Sequence, residues 1–235
     1  MTANDTSSVA GNQPMRMFIA SHGISDFPTW LATFKEVDKK TSYQMEELKA
    51  DLRLACSGPN RNDGTKTCVV IQTYPKSNEA AIKDCLKFDA PPFSGDDGLI
   101  SRGIVIPPFE PCISAELWLD KWEIDPATLS DDEELMVYVG GHGVLNFDRW
   151  FKLFQEYPHD KEFPGVVRTL AGKGPKHTDG TDTCVYVHIF KKSYEKLVRD
   201  LMFGQEKKLV IMEHSVVLPY QPDIHATVGY MAGWK

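Results

Sequence analysis

Residues 136–154 read MVYVGGHGVLNFDRWFKLF, and a second version of this stretch lies 120 positions earlier (His142 against His22). In both versions an apolar run ends in His-Gly and is followed by aromatic residues at the same intervals, namely Phe27, Trp30 and Phe34 against Phe147, Trp150 and Phe154. Two further segments recur later in the chain. Thr67-Cys68-Val69-Val70 matches Thr183-Cys184-Val185-Tyr186, and Pro108-Phe109-Glu110-Pro111 matches Pro219-Tyr220-Gln221-Pro222. A period this long does not suit a solenoid, so the sequence predicts two similar small domains that arose by internal duplication.

The repeat divides the 235 residues into four segments. Residues 1–15 are small and polar, with neither the basic start nor the apolar run of a signal peptide, and are expected to form a flexible arm. Residues 16–124 are the first predicted repeat and residues 135–235 the second. Between them, residues 125–134 (DPATLSDDEE) are predicted to be an acidic linker, because charge and proline mark domain boundaries.

Apolar periodicity, caps and turn signals predict one order of elements in both halves: strand, helix, strand, strand, helix, strand. The predicted strands are residues 17–21, 48–56, 65–74 and 100–106 in the first half, and 136–141, 166–171, 181–190 and 209–218 in the second. The predicted helices of the first half begin after Asp26 and at Ser77, and those of the second half cover residues 146–154 and 193–202. Residues 35–44 are predicted to be a loop or the end of a helix, residues 117–122 a peripheral strand, and residues 227–234 a tail. This is the ferredoxin-like βαββαβ arrangement of the α+β class.

Composition excludes several classes of function. The net charge is -7 and no stripe of Lys and Arg is present, which argues against nucleic-acid and anionic-membrane partners. No window approaches the roughly 18 apolar residues of a transmembrane helix. The five cysteines are odd in number and lack CxxC spacing, which favours reduced thiols in an intracellular compartment, either the cytoplasm or an organelle lumen.

A sheet with helices on one face leaves its other face apolar, and two such faces in one chain are expected to close into a barrel of about eight strands. With its strands ending in His-Gly, followed by Asp or Asn, Phe and Trp, the sequence resembles the dimeric α/β-barrel superfamily over nearly all of residues 17–235. The resemblance implies two ferredoxin-like repeats packed sheet to sheet as an intramolecular dimeric α/β barrel. Such a chain can be a monomeric pseudo-dimer, although exposed edge strands also allow a higher oligomer.

Alternation along the strands predicts which side chains enter the barrel. Uniformly aliphatic positions such as Val185, Val187 and Ile189 are placed under the helices, and the positions between them are predicted to face the barrel. Because neutral His accepts a proton near physiological pH, the candidate catalytic residues are His22, His142, His188 and the nearby Tyr186. The candidate substrate-binding residues are the polar and aromatic side chains expected in a small-molecule pocket: Phe18, Gln72, Tyr74, Tyr138 and Phe190.

Three functions are consistent with these residues. The superfamily includes cofactor-free monooxygenases and isomerases, so the resemblance implies an oxygenase, isomerase or lyase acting on an apolar carbonyl or phenolic small molecule, with His as acid or base. The alternatives are a carrier of haem, pigment or another apolar ligand, and a scaffold protein whose barrel is filled by aromatic side chains. A His-Gly pair at a strand end also suits a structural role, with the ring capping a carbonyl while Gly permits the turn.

No cofactor is expected. Haem on His142, His188 or His214, or a divalent metal on inward-facing His with Glu213 or His214, stays open as an alternative, although no HxH or HExxH spacing is present. The other histidines, His159, His177 and His225, lie in predicted loops and are expected at the surface.

Overall fold

The computed structural model of the protein describes residues 13–47, 52–85, 89, 93–109, 112–203, 216–220 and 224–232. The chain forms two compact units. The first, called here the N unit, consists of Pro14–Ser114 and Ala226–Trp234; the second, the C unit, is built around Ala115–His225. No helix in these described segments is both long enough and apolar enough to cross a membrane.

The N unit is an antiparallel sheet with two helices. Its elements are β1 (Met15–Ile24), α1 (Phe27–Glu47), β2 (Leu52–Ser57), β3 (Lys66–Pro75), α2 (Glu79–Cys85), β4 (Val105–Phe109) and β10 (Ile224–Ala232). The strand order is β10-β2-β3-β1-β4. The last strand of the chain therefore completes the sheet that the first half of the chain begins.

The C unit repeats this plan. Its elements are β5 (Ile113–Trp122), β6 (Leu135–Val144), α3 (Phe147–Glu156), α4 (His159–Glu162), β7 (Val166–Lys173), β8 (Asp182–Lys191), α5 (Glu195–Phe203) and β9 (Val216–Tyr220). The strand order is β5-β7-β8-β6-β9. The fifth strand of each unit thus comes from the other half of the sequence. The predicted α+β class and the ferredoxin-like order of elements are confirmed.

The paired positions of the sequence repeat have the same register in both units. His22 lies opposite Cys68 in the β1–β3 pair, and His142 lies opposite Cys184 in the β6–β8 pair. Each His-Gly also marks a register irregularity with the edge strand of its unit. Each following helix starts at a predicted cap, since Asp26 Oδ1 accepts from Thr29 N at 2.9 Å and Asn146 Oδ1 from Arg149 N at 2.9 Å.

Several predicted boundaries were wrong. Helix α1 continues to Glu47, through the polar stretch that was predicted as loop or helix end. The fourth strand begins at Val105 rather than at residue 100, because Ile100 O and Leu99 O accept local turn hydrogen bonds from Gly103 N and Ile104 N. The predicted arm ends earlier, since Met15 already belongs to β1, and most of the predicted strand 209–218 lies outside the described residues.

The predicted faces of the sheets were also wrong. Cys68 and Val70 pack with Trp30 of α1, and Cys184 and Tyr186 lie beside Trp150 of α3, so the face that was expected to enter the barrel is covered by the helices. The aliphatic positions Val185, Val187 and Ile189 occupy the opposite face of the sheet. The physical reason is size: the helices present large aromatic rings, which need small neighbours such as Ala55 and Ala171.

Candidate functional site

In the N unit, His22 forms a pair with the thiol of Cys68. His22 Nδ1 donates to Gly23 O at 3.0 Å, and Cys68 Sγ lies 3.2 Å from Nε2, so the thiol can donate to that nitrogen. The Trp30 ring meets the imidazole edge-on at a centroid distance of 5.9 Å. Burial lowers the pKa of His22, against a raising effect of the Gly23 hydrogen bond. The ring is therefore neutral at pH 7.

The C unit contains the equivalent pair. His142 Nδ1 lies 3.1 Å from Gly143 O, and Cys184 Sγ lies 3.4 Å from both ring nitrogens. Trp150 again meets the imidazole edge-on, at 6.0 Å between centroids. Burial lowers the pKa of His142 as it does for His22. This match between the units extends from sequence to atomic contacts.

A cysteine beside an imidazole can act as a nucleophile that the imidazole activates as a base. Nucleophilic attack requires the thiolate, and burial raises the pKa of both Cys68 and Cys184. Both thiols are also fully enclosed, with relative exposures of 0% and 1%. The geometry therefore favours two satisfied, neutral pairs that hold helices on sheets, which is the structural role considered for the His-Gly motif.

The other predicted imidazole, His188 on β8, has different surroundings. Its Nδ1 lies 3.3 Å from Thr169 Oγ1 on the neighbouring strand β7. Its ring is nearly parallel to Phe154 and Phe163, with interplanar angles of 15° and 28° and centroid distances of 6.1 and 5.3 Å. Burial, followed by the nearby His159, lowers the pKa of His188 to about 3. His188 is therefore neutral throughout the physiological pH range.

His159 is a site residue that sequence reasoning missed, and its predicted surface position was wrong. It lies on the short helix α4, is 3% exposed, and its ring centroid is 5.2 Å from that of His188. Its Nε2 donates to Phe154 O at 2.9 Å, whereas its Nδ1 has no hydrogen-bond partner among the described residues. The flanking Tyr157 and Phe163 were the available signal, because aromatic side chains on both sides of a polar turn favour burial.

Together these side chains form the imidazole cluster of the C unit, which we define as Phe154, Tyr157, His159, Phe163, Tyr186 and His188. Tyr186 connects this cluster to the thiol pair, since its ring lies 5.6 Å from His188 and 6.2 Å from His142. Phe154, Tyr157 and Tyr186 are partly exposed, so the cluster reaches solvent. Among the predicted catalytic residues, the structure brings three into this region and leaves His22 in the N unit.

The predicted substrate-binding residues divide between the units. Tyr138 and Phe190 pack with Phe163 and with Val198 of α5, at the border of the imidazole cluster. Phe18 and Tyr74 pack with Ile82 of α2 in the N unit. Gln72, the position equivalent to His188, is buried there, and its Oε1 accepts no hydrogen bond within the described part of the chain.

The candidate ligands for a metal or haem were tested against this geometry. Within the described residues, no group of three or more His, Cys, Asp or Glu side chains is arranged to hold a metal ion. His142 does not fit an axial haem ligand, because Gly143 and Cys184 occupy its ring nitrogens, and His188 is packed by Phe154, Phe163 and Tyr186. His214 and Glu213 lie outside the described residues, as does the side chain of His225; His177 lies in the loop between β7 and β8.

Comparisons with known proteins give structural matches alone. No protein-family model matches the sequence, and no curated protein matches it significantly. The fold is similar to a candidate monooxygenase of Fusobacterium nucleatum subsp. nucleatum (TM-score 0.57, 10% identity, covering 94% of this chain and 95% of the other). It is also similar to an anthrone oxidase-like protein (TM-score 0.50, 11% identity, covering 94% of this chain and 93% of the other). A third match is chlorite dismutase of Candidatus Nitrospira defluvii in complex with imidazole (TM-score 0.51, 12% identity, covering 94% of this chain and 93% of the other).

At such low identity these likenesses show the fold and leave the chemistry to the site itself. They extend over nearly the whole chain, 94% of it in each case. The protein therefore has the fold of the dimeric α/β-barrel superfamily.

Proposed function

We propose that the protein is a small-molecule enzyme of the cofactor-independent α/β-barrel type, an oxygenase, isomerase or lyase acting on an apolar carbonyl or phenolic substrate. The proposed site is the imidazole cluster of the C unit. The observation that carries the proposal is the pair of neutral imidazoles, His159 and His188, buried within an aromatic cluster that reaches solvent. Apolar pockets with a few converging polar groups are the usual form of small-molecule sites.

Each side chain has a role that follows from its surroundings. A flat apolar substrate would stack with Phe154 and Phe163, which already lie nearly parallel to His188. A base with a pKa of about 3 accepts protons poorly at pH 7, so His188 acts as a hydrogen-bonding group that orients the substrate. The proton acceptor in this proposal is His159, because its buried Nδ1 has no hydrogen-bond partner among the described residues. Burial lowers the pKa of His159, whereas the hydrogen bond to Phe154 O and the Glu123 carboxylate raise it.

The remaining predicted catalytic residues have supporting roles in this proposal. Tyr186 is partly exposed, its hydroxyl lies against Gly140, and its ring lies next to both His188 and the His142–Cys184 pair. His142 and His22 help to keep helices α3 and α1 on their sheets, because their rings contact Trp150 and Trp30 edge-on. Only the C unit then carries the reaction.

Turnover by variants tests this proposal. Oxygen consumption and product formation would be followed with a panel of naphthols, quinols and aromatic ketones, for the wild type, His159→Gln and His188→Gln. Loss of a positioned acid or base should reduce kcat by about 100-fold or more while the melting temperature changes little. The matched control is His177→Gln, which makes the same chemical change in a loop. Equal activity of all variants, or no turnover by the wild type across the panel, would contradict the proposal.

One observation favours a second function, a carrier of an apolar ligand. Burial lowers the pKa of all four described buried imidazoles, His22, His142, His159 and His188, so none holds a positive charge at pH 7. A site without charge suits binding as well as it suits catalysis. Native mass spectrometry and an absorption spectrum of the purified protein test this alternative; a carrier would show a bound species that is absent from a Phe163→Asp variant.

A further inference from the structure

The hydroxyl of Thr169 is the hydrogen-bond partner of His188. Thr169 lies opposite His188 in the register of β7 and β8 and is 0% exposed, and its Oγ1 lies 3.3 Å from His188 Nδ1. At the equivalent position of the N unit, Arg53 lies opposite Gln72. The threonine–histidine pair therefore belongs to the C unit alone, although the two units share their strand register.

The supply of hydrogen atoms decides which group donates in this pair. The neutral His188 ring carries one N–H, on either Nδ1 or Nε2. If Nδ1–H donated to Thr169, both the threonine O–H and the bare Nε2 would lack a partner among the described residues. If the Thr169 O–H donates to Nδ1, only the N–H of Nε2 lacks one. Because folded proteins leave few buried polar groups unpaired, the second arrangement is favoured.

The neighbours of His188 leave its Nε2–H available to a ligand. Phe154 and Phe163 lie nearly parallel to the imidazole, and a phenylalanine side chain has no oxygen or nitrogen acceptor. The His159 ring is 5.2 Å away between centroids, but its Nδ1 has no hydrogen bond within the described part of the chain and so does not accept from Nε2. A molecule bound in the imidazole cluster must therefore bring the acceptor.

We propose that Thr169 is a positioning residue, whose hydroxyl donates to His188 Nδ1 and fixes the tautomer in which His188 Nε2–H donates to a carbonyl oxygen of the substrate. This inference rests on the proposed function, because it places the substrate in the same cluster. It narrows the substrate class to carbonyl compounds. A carbonyl oxygen only accepts hydrogen bonds, and a neutral imidazole N–H can polarise it, whereas a phenol hydroxyl is chiefly a donor.

Two ligands that differ only at the acceptor test the inference: 2-acetylnaphthalene and 2-isopropenylnaphthalene, in which a methylene group replaces the carbonyl oxygen. Binding to the full chain would be measured by calorimetry for the wild type, Thr169→Val, Thr169→Ser and the control Thr183→Val. Thr183 is a matched control because it is a buried threonine of β8 whose hydroxyl donates to a backbone carbonyl, Pro175 O at 2.7 Å, instead of to a histidine.

The wild type, Thr169→Ser and the control should bind the ketone about tenfold more tightly than the alkene. In Thr169→Val this preference should fall to about twofold or less, because the proton is no longer confined to Nε2, while the affinity for the alkene stays the same. Equal binding of both ligands by the wild type would overturn the inference. Failure of both ligands to bind would overturn the inference and the proposed function together.

A measurement without ligand tests the tautomer directly. In nitrogen NMR spectra, the imidazole signals of His188 are identified by their loss in His188→Gln. The wild type and Thr169→Ser should carry the proton on Nε2, and Thr169→Val should distribute it over both nitrogens. A threonine with a purely structural role would change stability without moving the proton. A wild-type proton on Nδ1, or an unchanged tautomer in Thr169→Val, would overturn the inference and leave the proposed function standing.

Discussion

At the scale of single residues, Gly140 shows how closely the imidazole cluster is packed. Gly140 lies opposite Tyr186 in the register of β6 and β8, and a Cβ at this position would lie 2.4 Å from Tyr186 Cζ. The equivalent pair in the N unit is Ala20 opposite Val70. The space that Gly140 leaves beside His142 is therefore filled by the Tyr186 ring in the C unit.

A substitution at Gly140 tests this packing. Gly140→Ala should displace the Tyr186 ring and lower the free energy of unfolding by about 1–3 kcal/mol, because the added methyl overpacks the cluster. The double variant Gly140→Ala/Tyr186→Val reproduces the N-unit pair and should recover most of the loss. Urea denaturation of the three proteins measures both effects. A single variant as stable as the wild type would show that the ring is not confined.

At the scale of elements, the helix starts were predictable because they depend on local chemistry. Asn146 and Asp26 occupy equivalent caps, and each accepts a hydrogen bond from the backbone three residues later. Helix α3 carries Phe154 of the cluster and Trp150, which contacts His142, so its position affects the candidate site directly. The length of α1 was not predictable in the same way, since a polar sequence can be loop or helix.

The cap of α3 provides a prediction at this scale. Asn146→Ala should cost about 1 kcal/mol of stability, since the backbone N–H of Arg149 loses its side-chain acceptor. Asn146→Asp keeps an acceptor and should be nearly neutral. Thermal and urea melts compare the two variants, and an equal loss in both would point to a role of the amide beyond capping.

At the scale of the whole molecule, each unit takes its fifth strand from the other half of the chain. Strand β10 pairs with β2 in the N unit, where Tyr230 lies edge-on to Phe34 at 6.0 Å and under Lys35. The equal strand order and the equal His–Cys register of the two units support our proposal that the chain arose by internal duplication. Sequence continuity alone would assign these strands to the wrong units.

This assignment predicts where a change near the C terminus acts. Tyr230→Ala removes an aromatic contact and buried area, and should cost about 2–4 kcal/mol. Hydrogen exchange should then accelerate in α1 and β2 of the N unit, which are distant in sequence, while β7 and β8 stay protected. Faster exchange confined to the C unit would contradict the assignment of β10.

The buried histidines make the stability of the molecule depend on pH. The folded state holds His188 neutral with a pKa of about 3, whereas the unfolded chain binds a proton below about pH 6.5. The stabilisation is therefore complete above pH 6.5 and is lost as the pH falls towards 3. His188 alone should cost about 2 kcal/mol between pH 6.5 and pH 5.

Urea denaturation at pH 7 and pH 5 measures this loss. His188→Gln should show a smaller difference between the two pH values than the control His177→Gln. The exposed carboxylates with lowered pKa values, such as Asp26 and Asp63, begin to lose their contributions only below about pH 4, so they do not interfere. An equal pH dependence in both variants would show that His188 is protonated in the folded protein.

The sequence by itself determined the order of elements, the matched positions of the two halves, the helix caps and the candidates His142, Tyr186 and His188, since these depend on local chemistry and spacing. Only the tertiary structure decided which face of each sheet meets the helices, that His159 is buried, and which unit receives β5 and β10. Periodicity separates two faces of a strand without saying which is covered. That choice is made by non-local fit, here between large helix rings and small sheet residues such as Ala171 and Cys184.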